Sequence, residues 1–278
     1  MSLMSRLMRT SIPRAVHQYL HQRIYANLSR LDGIFHVAVE ERLECLLNRP
    51  KYEDPKKLNR YEYEIFSQSG EDGIIEEIFR RVGLTNKTFV EFGVGDGSQN
   101  NTRYLLTAGW SGTWIEGNKD LVIRIRRQLA DKIKQGALRV THAIVTAEVI
   151  ESLFERNGVP QECDLLSIDI DRNDYWVWAG IQRYHPRVVV IEYNAHFPPG
   201  REWVVEYDPD AIWDGTRNTG ASLTALELLG AKKGYKLVGC NLAGVNAFFV
   251  REELVQDNFC APFTAGNHHE PRRYYLLR

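Results

Sequence analysis

Long hydrophobic runs, paired cysteines and an excess of charge of either sign are all missing from this sequence of 278 residues. No apolar stretch approaches the roughly 18 residues a membrane-spanning helix requires, so no membrane span is expected. The first residues lack the continuous apolar core of a secretory signal. Cys45, Cys163, Cys240 and Cys260 lie far apart, with no C-x-x-C pair among them. That spacing argues against a structural zinc site and a disulfide scaffold, and for buried free thiols in a reducing, cytoplasmic setting. Lys and Arg number 35 against 36 Asp and Glu, so the basic excess usual for nucleic-acid binding is absent and no nucleic-acid partner is expected. Repeats and low-complexity segments are absent too. What is present is an ordinary globular composition, 44% hydrophobic and 26% charged. It suffices for one α/β domain of about 200–250 residues with an appendage.

Residues 1–60 read as a helical extension. Ile12, Val16, Leu20, Ile24, Leu28 and Leu31 recur at mostly four-residue spacing, along one side of a helix. Asp32-Gly33 is expected to break this row before a second segment with Phe35, Val39, Leu43, Leu46 and Leu47, which Asn48-Arg49-Pro50 ends. Such a pair cannot bury its apolar side alone. It must pack on the main domain or form a homo-oligomer through the N-terminal helices. Arg6, Arg9, Arg14, Arg23 and Arg30 precede the first acid, Asp32. They read as a solvated helix face, and the same charges would serve a targeting peptide or a helix on an anionic membrane surface. Lys51 to Arg60, charged and containing Pro55, is the expected linker. The chain thus divides into the extension 1–60, a main domain 61–253 and a tail 254–278.

From residue 61 the pattern becomes regular. Ser69-Gly70-Glu71-Asp72 resembles an N-cap with acids in the first helical turn, and Ile74, Ile75, Ile78, Phe79 and Val82 give the following helix one apolar face before Gly83. Short apolar strands then recur about every two dozen residues: Thr88–Phe92, Gly112–Glu116, Leu138–Val145, Asp164–Ile170 and Val188–Tyr193. Helical segments between them include Leu121–Lys134 and Ala147–Asn157. Strands this apolar suit a parallel sheet covered on both faces. A helix over Ala221–Lys233 leads to strands Tyr235–Cys240 and Asn246–Arg251. Their link is too short for a crossover, so they are antiparallel. The expected fold class is a three-layer, Rossmann-like α/β fold with a mostly parallel sheet and an antiparallel terminal hairpin. That hairpin is typical of class I methyltransferases and unnecessary in a nicotinamide-binding domain.

The strongest motif is Val90-Glu91-Phe92-Gly93-Val94-Gly95-Asp96-Gly97, where the first strand ends. Glycines there permit tight turns and let a ligand approach main-chain N–H groups. The spacing is acid-x-G-x-G-x-G, and Ser98 stands where the dinucleotide fingerprint places its last glycine. Glu116 ends the second strand, in Trp114-Ile115-Glu116-Gly117-Asn118. An acid at that tip can accept hydrogen bonds from both ribose hydroxyls of an adenosine ligand lying over the carboxyl ends of the strands. The adenine would then lie near Val145-Thr146.

Six stretches together resemble FkbM-type S-adenosylmethionine-dependent methyltransferases over about residues 62–253. They are Phe66-Ser67-Gln68-Ser69-Gly70-Glu71-Asp72-Gly73, the glycine loop, Asn100-Asn101-Thr102-Arg103, Gly109-Trp110-Ser111-Gly112, Ile115-Glu116, and Ile168-Asp169-Ile170-Asp171-Arg172-Asn173-Asp174-Tyr175. The resemblance implies the class I fold, S-adenosylmethionine as cofactor, and an oxygen acceptor on a sugar, polyketide or other natural product. It also implies that Gln68 borders the methionine end of the cofactor. The cofactor-binding candidates are then Gln68, Glu91, Gly93, Val94, Gly95, Asp96, Thr102, Glu116, Asn118, Val145, Thr146 and Asp169. Arg172 stands where many relatives have glycine, a departure that would narrow or recharge the acceptor pocket.

Methyl transfer to a hydroxyl needs alignment, exclusion of water, and a base or metal ion to take the proton. The catalytic candidates are Asp169, Asp171, Glu192, Asn194 and His196, with Asp174 beside them. Asp169, Asp171 and Glu192 offer hard oxygen ligands for a magnesium-type cation. Alternatively His196 or one carboxylate takes the proton directly. Helix capping by the Asp171-Arg172-Asn173-Asp174 run is the plain structural alternative. Trp178 is expected in the core, while Trp176 can serve core or pocket. Phe197-Pro198-Pro199-Gly200 forces an irregular loop, and the long connection Arg201–Gly220 suits a lid. Asn194-Ala195-His196-Phe197 lacks the Asn-Pro-Pro-aromatic motif of nucleic-acid amino-methyltransferases. The pairs His17/His21 and His268-His269 read as surface features, and Tyr274-Tyr275-Leu276-Leu277 as a segment that docks on the domain or a partner. The expected activity is O-methylation of a small-molecule or glycan acceptor. The alternatives are an S-adenosylmethionine-binding assembly or regulatory protein, and an oxidoreductase.

Overall fold

The computed structural model describes residues 14–211 and 213–276. The chain divides into two compact units between Arg49 and Pro50. In the first, a single helix, α1 (Arg14–Leu47), replaces the two expected segments. It runs through Gly33, which keeps an ordinary negative φ. An interior glycine costs a helix only about 1 kcal/mol, and no proline lies between Arg14 and Leu47 to break it. Ile24, Leu28, Leu31 and Phe35 are exposed along α1, and Val39 and Leu46 are buried. Ile12, Arg6 and Arg9 lie outside the described residues, as do the side chains of His17 and His21.

The second unit is built on seven strands: β1 (Thr88–Phe92), β2 (Ser111–Glu116), β3 (Leu138–His142), β4 (Leu165–Ile168), β5 (Val188–Glu192), β6 (Tyr235–Cys240) and β7 (Asn246–Arg251). Their order is β3-β2-β1-β4-β5-β7-β6. The first five are parallel, and β7 runs antiparallel to both β5 and β6. This is the mostly parallel sheet with a terminal hairpin that the sequence predicts.

Among the described residues, nine α-helices complete this unit: α2 (Glu71–Val82), α3 (Arg103–Thr107), α4 (Lys119–Gln128), α5 (Ala130–Lys134), α6 (Ile150–Arg156), α7 (Asp174–Gly180), α8 (Leu223–Lys232), α9 (Glu252–Val255) and α10 (Ala265–His268). Side chains alternate across the strands. Val189, Ile191, Ala247 and Phe249 join the core under α6, α7 and α8, while Val188, Val190, Phe248 and Val250 join the core under α2 and α4. Strand order reverses between β1 and β4, so their carboxyl ends open the crevice where ligands of such sheets sit.

Several boundaries differ from expectation. β3 stops at His142 and leaves Val145 and Thr146 in the following loop; β4 stops at Ile168 and leaves Asp169 beyond the sheet. The predicted helix Leu121–Lys134 is two helices divided at Leu129, and Ala147–Asn157 becomes helical only from Ile150. Ser222 caps α8 by accepting from Ala225 N, so that helix begins at Leu223. The segment read as a linker packs instead as two 3-10 turns (50–52 and 58–61) with Tyr52, Leu58 and Asn59 buried. It meets the tail at buried Glu270, whose carboxylate accepts from Tyr52 Oη at 2.7 Å and pairs with Lys51 and Arg273. His268, read as a surface residue, is buried, and burial pushes its imidazole down to about 3. Cys163, Cys240 and Cys260 are buried, whereas Cys45 is exposed.

Candidate active site

The glycine loop after β1 is fixed by requirements no other residue meets. Gly93 has φ +77°, and a Cβ there would lie 1.5 Å from the carbonyl oxygen of Asp169. Two parallel strand ends therefore touch at this point. Gly95 has φ +58° and open space around it, and its N–H donates to Glu116 Oε2 at 2.9 Å. Glu116 Oε1 accepts from Asn118 N at 2.8 Å. Each carboxylate oxygen keeps a lone pair, so Glu116 can still accept from a diol while it ties the loop to β2. Asn118 is committed elsewhere, since its Oδ1 caps α4 by accepting from Asp120 N and Leu121 N.

Thr102 is scaffold, and Glu91 both lines the smaller of the two cavities over the strand ends and anchors its wall. Fully enclosed, Glu91 accepts from Asn100 Nδ2, Asn101 N, Thr102 N, Thr102 Oγ1 and Ser167 Oγ. Its burial raises the carboxyl above its usual range despite those bonds. Thr102 also accepts from Trp114 Nε1 at 2.7 Å and is inaccessible to solvent. The loop carrying Gln68 is pinned from α2. Asp72 Oδ2 accepts from the N–H groups of Ile65, Phe66 and Ser67, and Glu71 accepts from Ser69 N and Oγ. These two acids reach back to order the preceding loop, beyond the dipole role their position suggests. Asn241 and Asn246 donate to Glu71 Oε1 and close this network, which no spacing in the sequence announces.

Two cavities meet over the strand ends. The smaller, about 180 Å³, is lined by Gln68, Glu71, Gly93, Val94, Gly95, Asp96 and Asp169, among others. It is rich in acceptors. Asn100 Oδ1 and Asn246 Oδ1, on residues that line it, are buried with no donor. Such atoms suit a ligand with N–H groups. Ser98 N and Oγ donate to Asp96 and hold its carboxyl below the usual range. Val145, Thr146, Glu116 and Asn118 line neither cavity.

The larger cleft, about 500 Å³, shares Gln68, Gly93 and Asp169 with the smaller and adds Asp171, Glu192, His196, Trp213, Arg217, Arg272 and Tyr274. One carboxylate oxygen from each of Asp169, Asp171 and Glu192 lies within 4.8 Å of the others. Asp171 sits at φ +64°, a strained value for a non-glycine residue. Burial, then the charges of Glu192, Asp174 and Asp171, raise Asp169 well above the usual carboxylate range. Burial and the neighbouring acids push Glu192 up to about 8, opposed by Arg272 at 3.5 Å. Asp174 accepts from Ile170 N and orders the loop from behind, and burial pushes it to about 6.

Asn194 is also a positioning group. Its Nδ2 donates to the carbonyls of Arg217 and Thr219 at 2.9 Å each, tying the long connection to β5. His196 is exposed at the rim, 3.3 Å from Tyr274 Oη, and burial together with Arg217 and Arg272 lowers its pKa. Trp178 is buried as expected. Trp176 Nε1 donates to Val205 O, and neither Trp176 nor Arg172 lines the cleft. The expected narrowing by Arg172 is therefore absent. The contribution of Arg272 and Tyr274 comes from the tail, some 80 residues beyond β5, and carries no sequence signal.

No family model matches the chain, and no curated protein matches it. Solved structures do. A magnesium protoporphyrin IX methyltransferase from Synechocystis PCC 6803 with bound SAM is 10% identical over 65% of this chain and 77% of its own, with a TM-score of 0.42. A putative caffeoyl-CoA O-methyltransferase from Staphylococcus aureus is 14% identical over 64% of this chain and 81% of its own, with a TM-score of 0.42. The N-terminal domain of EvdMO1 with SAH bound is 13% identical over 77% of this chain and 95% of its own, also at 0.42.

Proposed function

We propose that the chain is an S-adenosylmethionine-dependent methyltransferase of the FkbM type, acting on a hydroxyl of a sugar, glycan or other natural product. The carrying observation is the shared wall of Gln68, Gly93 and Asp169, which joins an acceptor-rich cofactor cavity to an open acidic cleft. When bound, S-adenosylmethionine supplies an electrophilic methyl group on a sulfonium. Glu116 and the amides of the glycine loop suit its adenosine, and the free oxygens of Asn100 and Asn246 suit its ammonium. On the acceptor side, Glu192 near pKa 8 is matched to taking a hydroxyl proton at neutral pH. Asp171 and Asp169, both raised by burial and Asp169 also by the charge of Glu192, lie beside it. The same three acids are spaced to hold a magnesium-type cation, which would acidify the hydroxyl instead.

The open cleft favours an enzyme over a binding-only assembly protein, because Arg172 and Trp176 leave it unfilled. Exposed Ile24, Leu28, Leu31 and Phe35 on α1 suit a homo-oligomer, and three buried thiols suit a cytoplasmic setting. The test is Asp169→Asn with labelled-methyl uptake as the readout. Turnover should fall by about a hundredfold or more, with the circular dichroism spectrum unchanged. Near-normal turnover would remove Asp169 from the mechanism. Loss of activity with a chelator, restored by magnesium, would assign the acids to a cation; indifference to both would assign them to direct proton transfer.

A further inference from the structure

The cleft carries charge of both signs: the acids Asp169, Asp171 and Glu192, and the cations Arg217 and Arg272. Arg217 lines the cleft, and Asn194 ties its backbone in place. Its guanidinium has neither a hydrogen bond nor an ion pair among the described residues. Arg272 lines the same cleft. Its Nη1 reaches Glu192 and Gly244 O at 3.5 Å each and its guanidinium lies over the Tyr274 ring, while its Nε is buried with no acceptor. Both residues line the cleft together with His196. Beside them Trp213 is 52% exposed within the cleft, with its indole N–H fixed to Thr216 O at 2.8 Å.

A surface-held tryptophan offers a flat apolar face to a sugar ring, and guanidinium groups pair bidentately with carboxylate or phosphate. We propose that the acceptor is an acidic sugar, a glycosyl unit bearing a carboxylate or phosphate that Arg217 and Arg272 bind while its ring lies on Trp213. The inference rests on the methyltransferase reading of this cleft and deepens it.

The test titrates galacturonate, galactose 1-phosphate and galactose calorimetrically into the full chain saturated with S-adenosylhomocysteine. At least one anionic sugar should bind about tenfold more tightly than galactose, an advantage that falls with added salt. The tighter of the two anions identifies carboxylate or phosphate as the recognised group. Arg217→Gln should abolish most of the preference, and Arg217→Lys, which keeps the charge, should retain part of it. Equal binding of all three sugars, binding of neither anion, or a preference that survives Arg217→Gln would overturn the proposal. Absence of S-adenosylhomocysteine binding would instead sink the methyltransferase reading. The sugar titrations on the unliganded protein would then still read the anion preference by itself.

Discussion

Replacing Glu192 with glutamine should stabilise the ligand-free protein at alkaline pH and leave it nearly unchanged at pH 5. In the folded protein the carboxyl rises from its ordinary 4.5 to about 8, first through burial and then through the charges of Asp174 and Asp171. A raised folded value means that the native state holds a proton the unfolded chain has lost. Stability from this group is therefore complete below pH 4.5 and drains away as pH climbs through 8. At about 1.36 kcal/mol per pH unit, the full interval would amount to roughly 4–5 kcal/mol. Proton sharing with Asp169 and partial solvent access reduce this to about 2 kcal/mol between pH 5 and 9. For a unit of this size that is a rise in Tm of about 4–8 °C for Glu192→Gln at pH 9. Calorimetric scans of both proteins at pH 5, 7 and 9 measure it. A variant less stable at pH 9, or equally stabilised at every pH, would refute the reasoning.

Two other substitutions probe the frame around the site. Gly93→Ala forces a Cβ to 1.5 Å from Asp169 O at φ +77°. It should cost about 2–4 kcal/mol in chemical denaturation and abolish S-adenosylhomocysteine binding. Asp164→Ala removes a fully buried carboxylate that accepts from Thr85, Asn86 and Lys87 N–H groups and pairs with Arg187 at 2.9 Å. The stranded guanidinium should cost about 3–5 kcal/mol, seen as a drop in Tm of about 10 °C, with cofactor affinity unchanged at low temperature.

Local physics makes most of the sheet readable. Short apolar runs bounded by turn residues fix β1, β6 and β7 to the residue, and a five-residue link forces the hairpin to be antiparallel. Strand ends are harder to read where apolar residues continue past the last ladder bond, as Ala143, Ile144 and Val145 do after β3. Gly33 misleads because glycine weakens a helix without ending it. At the site, Gly93, Gly95, Glu116 and the three acids are legible because each stands at a strand end or in a glycine loop. Thr102 and Asn118 reach their neighbours but spend their polar atoms on scaffold and cap. Arg272 and Tyr274 are invisible to any local pattern, since β7 ends at the amino end of β5 and the tail must return to the carboxyl end to reach Glu192 and His196.

The central claim is that the crevice over the glycine loop binds S-adenosylmethionine, with Glu116, which accepts from Gly95 N at the loop's edge, taking its ribose. Calorimetric titration of S-adenosylhomocysteine into the wild-type chain and Glu116→Ala tests it most directly. The account predicts one site of about micromolar affinity in the wild type, weakened tenfold or more by the substitution with the fold intact. No heat of binding, or tight binding of NAD in its place, would contradict it.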